Sequence, residues 1–185
     1  MHDTIETARL MLRPPREGDL VSLSQSINSH AIVQNTARIP WPYMLDDAHA
    51  YLRVGGYNGG QSLRLLIFER RSAAEVIGGI GYEARSGEHA AEIGYWLAQG
   101  VWAMGYGFEA ASAVTAHAFE RASHDRLVAG YRHGNEGSRR ILDRLGFRVI
   151  GHTMTFSKGA GAYTPTARLE LTRSEWLLRR RAVYS

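Results

Sequence analysis

Residues 102–110, Trp-Ala-Met-Gly-Tyr-Gly-Phe-Glu-Ala, join a strand-like segment at 91–97 to an apolar pattern of helical period. Gly105 and Gly107 carry no Cβ, so a ligand can approach the backbone closely there. Successive N–H groups at the start of a helix bind anions, and the helix dipole adds to the attraction. The segment therefore predicts a strand, a glycine-containing loop and a helix that bind a phosphorylated ligand. An ordinary strand-to-helix turn is the alternative for this segment taken alone.

The rest of the hydrophobic pattern indicates one α/β domain with a mixed sheet. Three consecutive strands separated by polar turns are typical of an antiparallel meander. The helix that follows the glycine-containing loop leads to another strand, and such a crossover predicts parallel pairing. The predicted elements, in the order β-α-α-β-β-β-α-β-α-β-β, are a strand at 9–13, helices from Asp19 and Asp46, strands at 63–69, 76–84 and 90–97, a helix at 105–121, a strand at 127–131, a helix at 136–145 that ends at Gly146, and strands at 147–156 and 167–171.

Length and composition limit the class of protein. A chain of 185 residues suits a single domain spanning 1–185. No apolar run reaches the roughly 20 residues that a membrane span needs, and the first residues do not have the pattern of a signal peptide, so we expect a cytoplasmic protein. The absence of cysteine excludes disulfides and a cysteine nucleophile.

The net charge of +4 points to an anionic ligand. The basic residues are spread along the chain, which favours a polyanionic cofactor over nucleic acid. The eight histidines lack the spacing of a metal site, so no metal is expected.

Several motifs occur together along the chain. In order they are 7–14 (Thr-Ala-Arg-Leu-Met-Leu-Arg-Pro), 40–43 (Pro-Trp-Pro-Tyr), 92–97 (Glu-Ile-Gly-Tyr-Trp-Leu), the glycine-containing segment, Asn135 with Ser138, 146–148 (Gly-Phe-Arg) and 175–176 (Glu-Trp). The chain resembles a Gcn5-related N-acetyltransferase (GNAT), and more narrowly the Rim-type ribosomal-protein N-terminal acetyltransferases. This resemblance covers nearly the whole chain and implies direct acetyl transfer from acetyl-CoA to a primary amine.

The resemblance also implies a cofactor site. Backbone groups of the strand end would bind the pantetheine arm and the thioester oxygen, and amides of the loop would bind the pyrophosphate. The family often has Gln or Arg where this chain has Trp102, so the phosphate donors here are expected to be backbone N–H groups. Asn135 would bind the pantetheine, and it also suits the N-cap of the helix from Glu136. The expected cofactor-binding residues are Tyr95, Trp96, Leu97, Met104, Gly105, Tyr106, Gly107, Phe108, Asn135 and Ser138.

Two side chains are candidates for catalysis. The resemblance implies that Ser138 lies near the sulfur of CoA and stabilises the leaving thiolate. The alternative is a buried serine that bonds to a helix carbonyl. Many members of the family have a tyrosine that acts as a general acid at the position that Leu142 occupies in this chain. Glu92 is the candidate base because alternation places it on one face with Gly94 and Trp96, and an ion pair with an arginine is the alternative. Arg139 and Arg140 either meet cofactor phosphate or lie in solvent.

The acceptor is expected to be a weakly basic amine. At pH 7 an α-amino group is roughly 10% neutral, whereas a lysine amine is neutral in only about 0.04% of molecules. An N-terminal α-amine, as on a ribosomal protein, is therefore favoured over lysine. Aminoglycoside or metabolite amines remain an alternative, and a catalytically silent acyl-CoA sensor or RNA-associated module is a reading from another class. Trp41, Tyr43, the turn at 55–60 and the hairpin at 159–161 are expected to select the acceptor in a monomer or homodimer.

Overall fold

The computed structural model describes residues 4–54, 62–72, 74–85 and 89–183. The strands are β1 (Ile5–Glu6), β2 (Leu10–Arg13), β3 (Ser62–Glu69), β4 (Gly78–Ala84), β5 (Ala90–Leu97), β6 (Arg126–Arg132), β7 (Arg148–Ser157) and β8 (Ala162–Thr172). The helices are α1 (Leu20–Ile27), α2 (His30–Val33), α3 (Leu45–Arg53), α4 (Tyr106–Glu120), α5 (Glu136–Leu145) and α6 (Arg173–Val183).

The eight strands form one mixed sheet in the order β1-β2-β3-β4-β5-β6-β8-β7. β2 to β5 are antiparallel neighbours, and α4 returns the chain so that β6 lies parallel to β5. The mixed α/β architecture predicted from the sequence, with its meander and its crossover, is confirmed. Three elements were not predicted: the two-residue β1, the four-residue α2 and the C-terminal α6. The first two are too short for their period to show in the sequence.

Helices cover both faces of the sheet. Against one face, α4 packs small and apolar side chains such as Ala111, Val114 and Phe119 onto β2 to β6. Against the other face, α1 and α3 bury Leu23, Ile27 and Ala48. We call these the α4 face and the α1 face. Side chains alternate along β5, so Ile93 and Tyr95 contact the α4 core while Trp96 packs against the α1 core.

Helix α5 begins and ends where the sequence predicts. The Asn135 side chain accepts a hydrogen bond from the Ser138 N–H at 3.1 Å, which is an N-cap. At the other end Gly146 has φ +99°, and its N–H bonds to the carbonyls of Leu142 and Asp143. Glycine adopts this left-handed conformation at the lowest cost, so the helix ends there.

Candidate active site

The sheet opens between β5 and β6. Only three residue pairs join these strands, from Ala90 to Glu92 on β5, and beyond Glu92 the described part of β5 has no strand partner on that side. A cavity of about 1280 Å³ fills the opening and extends to the loop before α4 and to α5. Single-ligand pockets are typically about 300–1,000 Å³, so this cavity is large enough for two molecules to meet.

The segment at 102–105, which we call the glycine loop, directs the start of α4 toward the cavity. Gly105 has φ +84°, which glycine tolerates, and Ala103 has φ +62°. The first intrahelical bond of α4 runs from the Glu109 N–H to the Gly105 carbonyl at 3.1 Å. The N–H groups of Tyr106, Gly107 and Phe108 precede it and have no intrahelical acceptor. They are therefore open donors for an anion.

The structure corrects the interpretation of Gly107. A Cβ at Gly107 would lie 2.7 Å from Cδ1 of Ile141 and 3.2 Å from Cδ1 of Leu97. The missing side chain thus allows α4 to pack closely against α5 and β5, rather than leaving space for phosphate. What remains available to a ligand at this position is the backbone N–H.

Trp102 differs from the residues common in the family, and the structure gives both Trp102 and Met104 a local role. The indole N–H of Trp102 donates to the Leu97 carbonyl at 2.8 Å and so ties the glycine loop to the end of β5. The Met104 carbonyl accepts a hydrogen bond from Nη1 of Arg9 at 2.9 Å. Met104 is exposed and is not among the cavity-lining residues, so the structure does not bring it together with the other expected cofactor residues.

Glu109 joins the N-terminal strands to α4. Its carboxylate accepts hydrogen bonds from the Thr7 hydroxyl at 2.6 Å, the Arg9 N–H at 2.8 Å and the Arg9 guanidinium at 2.7 Å. Burial works to raise the pKa of Glu109, but these hydrogen bonds and the Arg9 charge outweigh it, and the pKa is lowered. The carboxylate therefore braces the start of α4.

Tyr95 and Ser138 meet across the opening on the α4 face. The Tyr95 phenol oxygen lies 3.0 Å from Oγ of Ser138, and both residues line the cavity. Burial raises the pKa of Tyr95 to about 12, although the hydrogen bond with Ser138 acts in the opposite direction. The phenol is therefore protonated at neutral pH. The sequence analysis predicted only a backbone role for Tyr95 in cofactor binding, so this hydroxyl pair was missed.

Leu142 is buried in the α4 core. It also lines the cavity, but a leucine side chain cannot act as an acid, so the family's tyrosine has no equivalent at this position. Asn135 lines the cavity, and its amide nitrogen makes no hydrogen bond within the described residues. It can thus cap α5 through its oxygen and still donate to a ligand.

The arginines of α5 are not equivalent. Arg139 forms an ion pair with Glu136 at 2.8 Å and does not line the cavity. Arg140 lines the cavity and has no partner within the described chain. Arg144, one turn further, also lines it and lies over the Phe108 ring at 3.9 Å. Arg144 was missed, although its spacing of four residues from Arg140 is a signal that the sequence contains.

Glu92 lies on the α1 face, half-buried, at the point where β5 leaves β6. Its cross-strand partner is Glu83 of β4, so two carboxylates share this face. Glu83 pairs with Arg38, and with Arg64 at 3.4 Å; the hydrogen bond from Arg38 is the main reason that the pKa of Glu83 is lowered. Within the described residues, Glu92 makes no ion pair or side-chain hydrogen bond.

Trp96 and the expected acceptor residues shape the rest of the α1 face. The Trp96 indole covers Gly79, where a Cβ would lie 2.5 Å from the indole nitrogen. Tyr43 is buried and lines the cavity, and burial raises the pKa of its phenol. Trp41 is exposed, stacks edge-on against His30 at 5.8 Å and does not line the cavity. The expected turn at 55–60 lies outside the described residues.

Comparisons with known proteins place the chain in a family. A protein-family model described as an acetyltransferase (GNAT) domain matches residues 9–148 of this chain. The uncharacterized N-acetyltransferase YoaA of Bacillus subtilis is 29% identical over 157 residues, which are 82% of this chain and 86% of that protein.

Two solved structures illustrate the likeness of the fold. The ribosomal-protein-S5-alanine acetyltransferase from Vibrio fischeri has a TM-score of 0.78 at 18% identity, over 94% of this chain and 98% of its own. The spermidine N-acetyltransferase from Vibrio cholerae, solved with CoA and spermine, has a TM-score of 0.76 at 17% identity, over 92% of this chain and 99% of its own.

Proposed function

The chain belongs to the GNAT acetyltransferase family, and we propose that it transfers acetyl from acetyl-CoA directly to a protein N-terminal α-amine. The observation that carries this proposal is the opening between β5 and β6. Glu92 lines it on the α1 face, and the Tyr95–Ser138 pair lines it on the α4 face. A thioester held in the gap therefore has a carboxylate on one side and hydroxyl donors on the other.

The cofactor's anionic end fits the start of α4. Three open N–H groups at Tyr106, Gly107 and Phe108 face the cavity's edge, and Arg140 and Arg144 add positive charge from α5. Backbone N–H donors with a helix dipole suit a pyrophosphate. The pantetheine arm would then run along the unpaired edge of β5 past Trp96, within reach of the Asn135 amide.

Acetyl-CoA supplies an acetyl group activated as a thioester. The neutral amine attacks its carbonyl carbon, so a C–N bond forms and the C–S bond breaks. Glu92 accepts the amine proton, directly or through one water. Backbone donors of β5 at Tyr95 to Leu97 stabilise the oxygen charge that develops, at about 3 kcal/mol for each well-placed donor.

The hydroxyl pair acts by hydrogen bonding rather than by complete proton transfer. A phenol with a pKa of about 12 is a weaker acid than a thiol, whose pKa is about 8.5. Tyr95 therefore keeps its proton and orients the Ser138 hydroxyl, which donates to the leaving sulfur. Ser138 is the catalytic residue of the pair, and Tyr95 is a positioning residue.

The carboxylate of Glu92, unpaired within the described residues, favours an α-amine acceptor. One candidate base suits an amine that is already partly neutral at pH 7, which an N-terminus is and a lysine is not. The ribosomal-protein-S5-alanine acetyltransferase and the spermidine N-acetyltransferase both share the fold, so the choice of acceptor rests on the carboxylate rather than on these likenesses. We also propose that residues 1–185 form one domain and that the protein acts in the cytoplasm. Among the described residues, no helix has the length and apolarity that crossing a bilayer requires.

An acceptor screen tests this function. Purified protein with acetyl-CoA is offered a peptide with a free N-terminus, the same peptide with a blocked N-terminus and an internal lysine, spermidine and an aminoglycoside, and thiol release is followed. We expect acetylation of the free N-terminus at a rate more than about tenfold above that of the lysine peptide at neutral pH. Equal rates on both peptides, or transfer to the small amines alone, would contradict the proposed preference for an N-terminal acceptor. No release with any amine would favour an acyl-CoA sensor.

A further inference from the structure

We propose that the acceptor carries a carboxylate close to its reactive amine, and that Arg168 binds this carboxylate. This inference rests on the proposed function and narrows its acceptor. It concerns the α1 face of the cavity, opposite the hydroxyl pair.

The sheet register places Arg168 on the same face as Glu92. Glu92 pairs with Val128 on β6, and two residues further along β6 Gly130 pairs with Arg168 on β8. Paired residues point to one face, so these side chains share the α1 face. From strand spacing and rise, the Cα atoms of Glu92 and Arg168 are roughly 12 Å apart. Both residues line the cavity.

Two glycines lie between these two residues. Gly94 is exposed, and a Cβ there would meet nothing within 4 Å. Gly130 lies between Glu92 and Arg168 in the strand order, and the Thr166 methyl lies beside it, 3.2 Å from where a Cβ would be. Because no side chain projects from Gly94 or Gly130, a small zwitterionic group can lie between the carboxylate and the guanidinium.

Most charged neighbours on this face already have partners within the described residues, and the exposed Lys158 on the cavity wall is an exception. Glu83 pairs with Arg38 and Arg64. Arg132 donates to the Thr36 carbonyl at 2.7 Å and also bonds to Thr164. In residues 4–54, 62–72, 74–85 and 89–183, neither Glu92 nor Arg168 makes a side-chain hydrogen bond or an ion pair.

Glu170 lies two residues after Arg168 on β8 and, unlike Arg168, already has partners among the described residues. Arg148 binds Glu170 at 2.8 Å, and Arg126 binds it at 3.2 Å. A guanidinium binds a carboxylate in bidentate geometry, and a carboxylate binds an ammonium group. The available pair, Glu92 and Arg168, is thus complementary to a molecule that carries both groups.

The balance of charge along the wall points the same way. Apart from the residues of α5, the charged residues that line the cavity are Arg38, Arg64, Arg132, Lys158 and Arg168, against Asp47, Glu83 and Glu92. Cations exceed acids, so a polyamine or an aminoglycoside would meet repulsion. An acceptor with an anionic group would gain from the same field.

The experiment compares isosteric acceptors. Two peptides that begin Ala-Asp and Ala-Asn differ only in charge at the second residue. Free alanine and alaninamide, which differ only in the charge of the carboxyl group next to the amine, form a second pair that distinguishes a peptide from an amino acid. We expect the acidic member of one pair to have a kcat/KM higher by about 10- to 100-fold, mostly through KM, which is the range for a hydrogen bond to a charged group. Arg168→Met should remove the preference, and Arg168→Lys should retain part of it.

Lys158→Met is the matched control, because Lys158 is an exposed cation of the same wall and its side chain has no partner among the described residues. It should lower the rates of both peptides slightly and keep their ratio. Each variant must show the parent's melting temperature. If the parent acetylates amines with no preference for the acidic member, or if Arg168→Met keeps the preference, the inference fails while the transfer activity stands. If the parent acetylates nothing, the proposed function itself fails.

Discussion

The phenol oxygen of Tyr95 lies 3.0 Å from the hydroxyl oxygen of Ser138 and joins the end of β5 to the first turn of α5. This contact lies at the gap where β5 and β6 no longer pair. The Ser138 hydroxyl is therefore oriented by a side chain from the strand that the thioester would follow. The pair yields a prediction that neither residue would yield alone.

Ser138→Ala should lower kcat by about 10- to 1000-fold and leave the affinity for acetyl-CoA nearly unchanged, because a donor to the sulfur matters mainly as charge develops. Tyr95→Phe should lower kcat less, since it removes the orienting group and keeps the donor. In the double variant the losses should not add, as the two residues act as one unit. Single-turnover rates measure the chemical step. Additive losses would mean that Tyr95 and Ser138 act separately.

Glu92→Gln should reduce the rate by about 100-fold at neutral pH, and the loss should shrink above the acceptor's own pKa, where the amine is already neutral. The measurement is kcat/KM against pH with an α-amine peptide. Glu83→Gln is the control, because Glu83 lies directly opposite Glu92 but pairs with Arg38 and Arg64. It should leave the shape of the profile unchanged. A loss that is uniform at every pH would assign Glu92 a structural role.

Acetyl-CoA at 100 times its dissociation constant should stabilise the fold by about 2.7 kcal/mol. For a domain of this size that corresponds to a rise in melting temperature of roughly 5–10 °C. Arg140→Met should reduce the rise, because it removes an unpaired cation beside the open amides. Arg139→Met is the control, since Arg139 is held by Glu136 and does not line the cavity. Equal effects of the two substitutions would place the phosphates elsewhere.

Gly107→Ala should destabilise the protein, because the added methyl would lie 2.7 Å from Ile141. Shortening that neighbour in the double variant Gly107→Ala with Ile141→Val should restore part of the stability, as it removes the contacting methyl. Thermal unfolding without ligand measures both effects. If the double variant is no more stable than the single one, the space beside Gly107 is not set by packing.

Glu109 should make the fold sensitive to acid. Its pKa is lowered in the folded protein, so its contribution to the free energy of unfolding is present above the unfolded pKa of about 4.3 and is lost as pH falls through the lower folded value. Glu109→Gln should therefore be less stable than the parent at pH 7, and the difference should narrow below pH 4. Urea unfolding at the two pH values tests this. A constant difference would mean that the charge of Glu109 does not matter.

The sequence predicted the order of the long elements up to β8 because their hydrophobic periods are distinct, but it missed the 11-residue α6. The helix at α5 was placed correctly at both ends, since Asn135 and Gly146 are strong local signals. A candidate anion site could also be predicted, because Gly105 and the start of α4 are adjacent in the chain.

Features that depend on distant pairing could not be predicted. Tyr95 and Ser138 are 43 residues apart, and only the twist and separation of β5 and β6 bring their hydroxyls together. Arg168 joins the cavity wall through the register of β8 against β6, which no local pattern encodes. The close packing at Gly107 has the same origin, because it depends on where α5 lies rather than on the residues beside it.

The opening between β5 and β6 also divides the sheet into two sets of strands. Five strands, β1 to β5, lie on one side, and three, β6, β8 and β7, lie on the other. Within the described sheet, three strand-to-strand residue pairs join these two parts. Amide hydrogens along this seam should exchange with solvent sooner than those inside either part. A molecule bound in the gap contacts both parts at once and so holds them together. Its binding should therefore slow amide exchange on both sides of the seam.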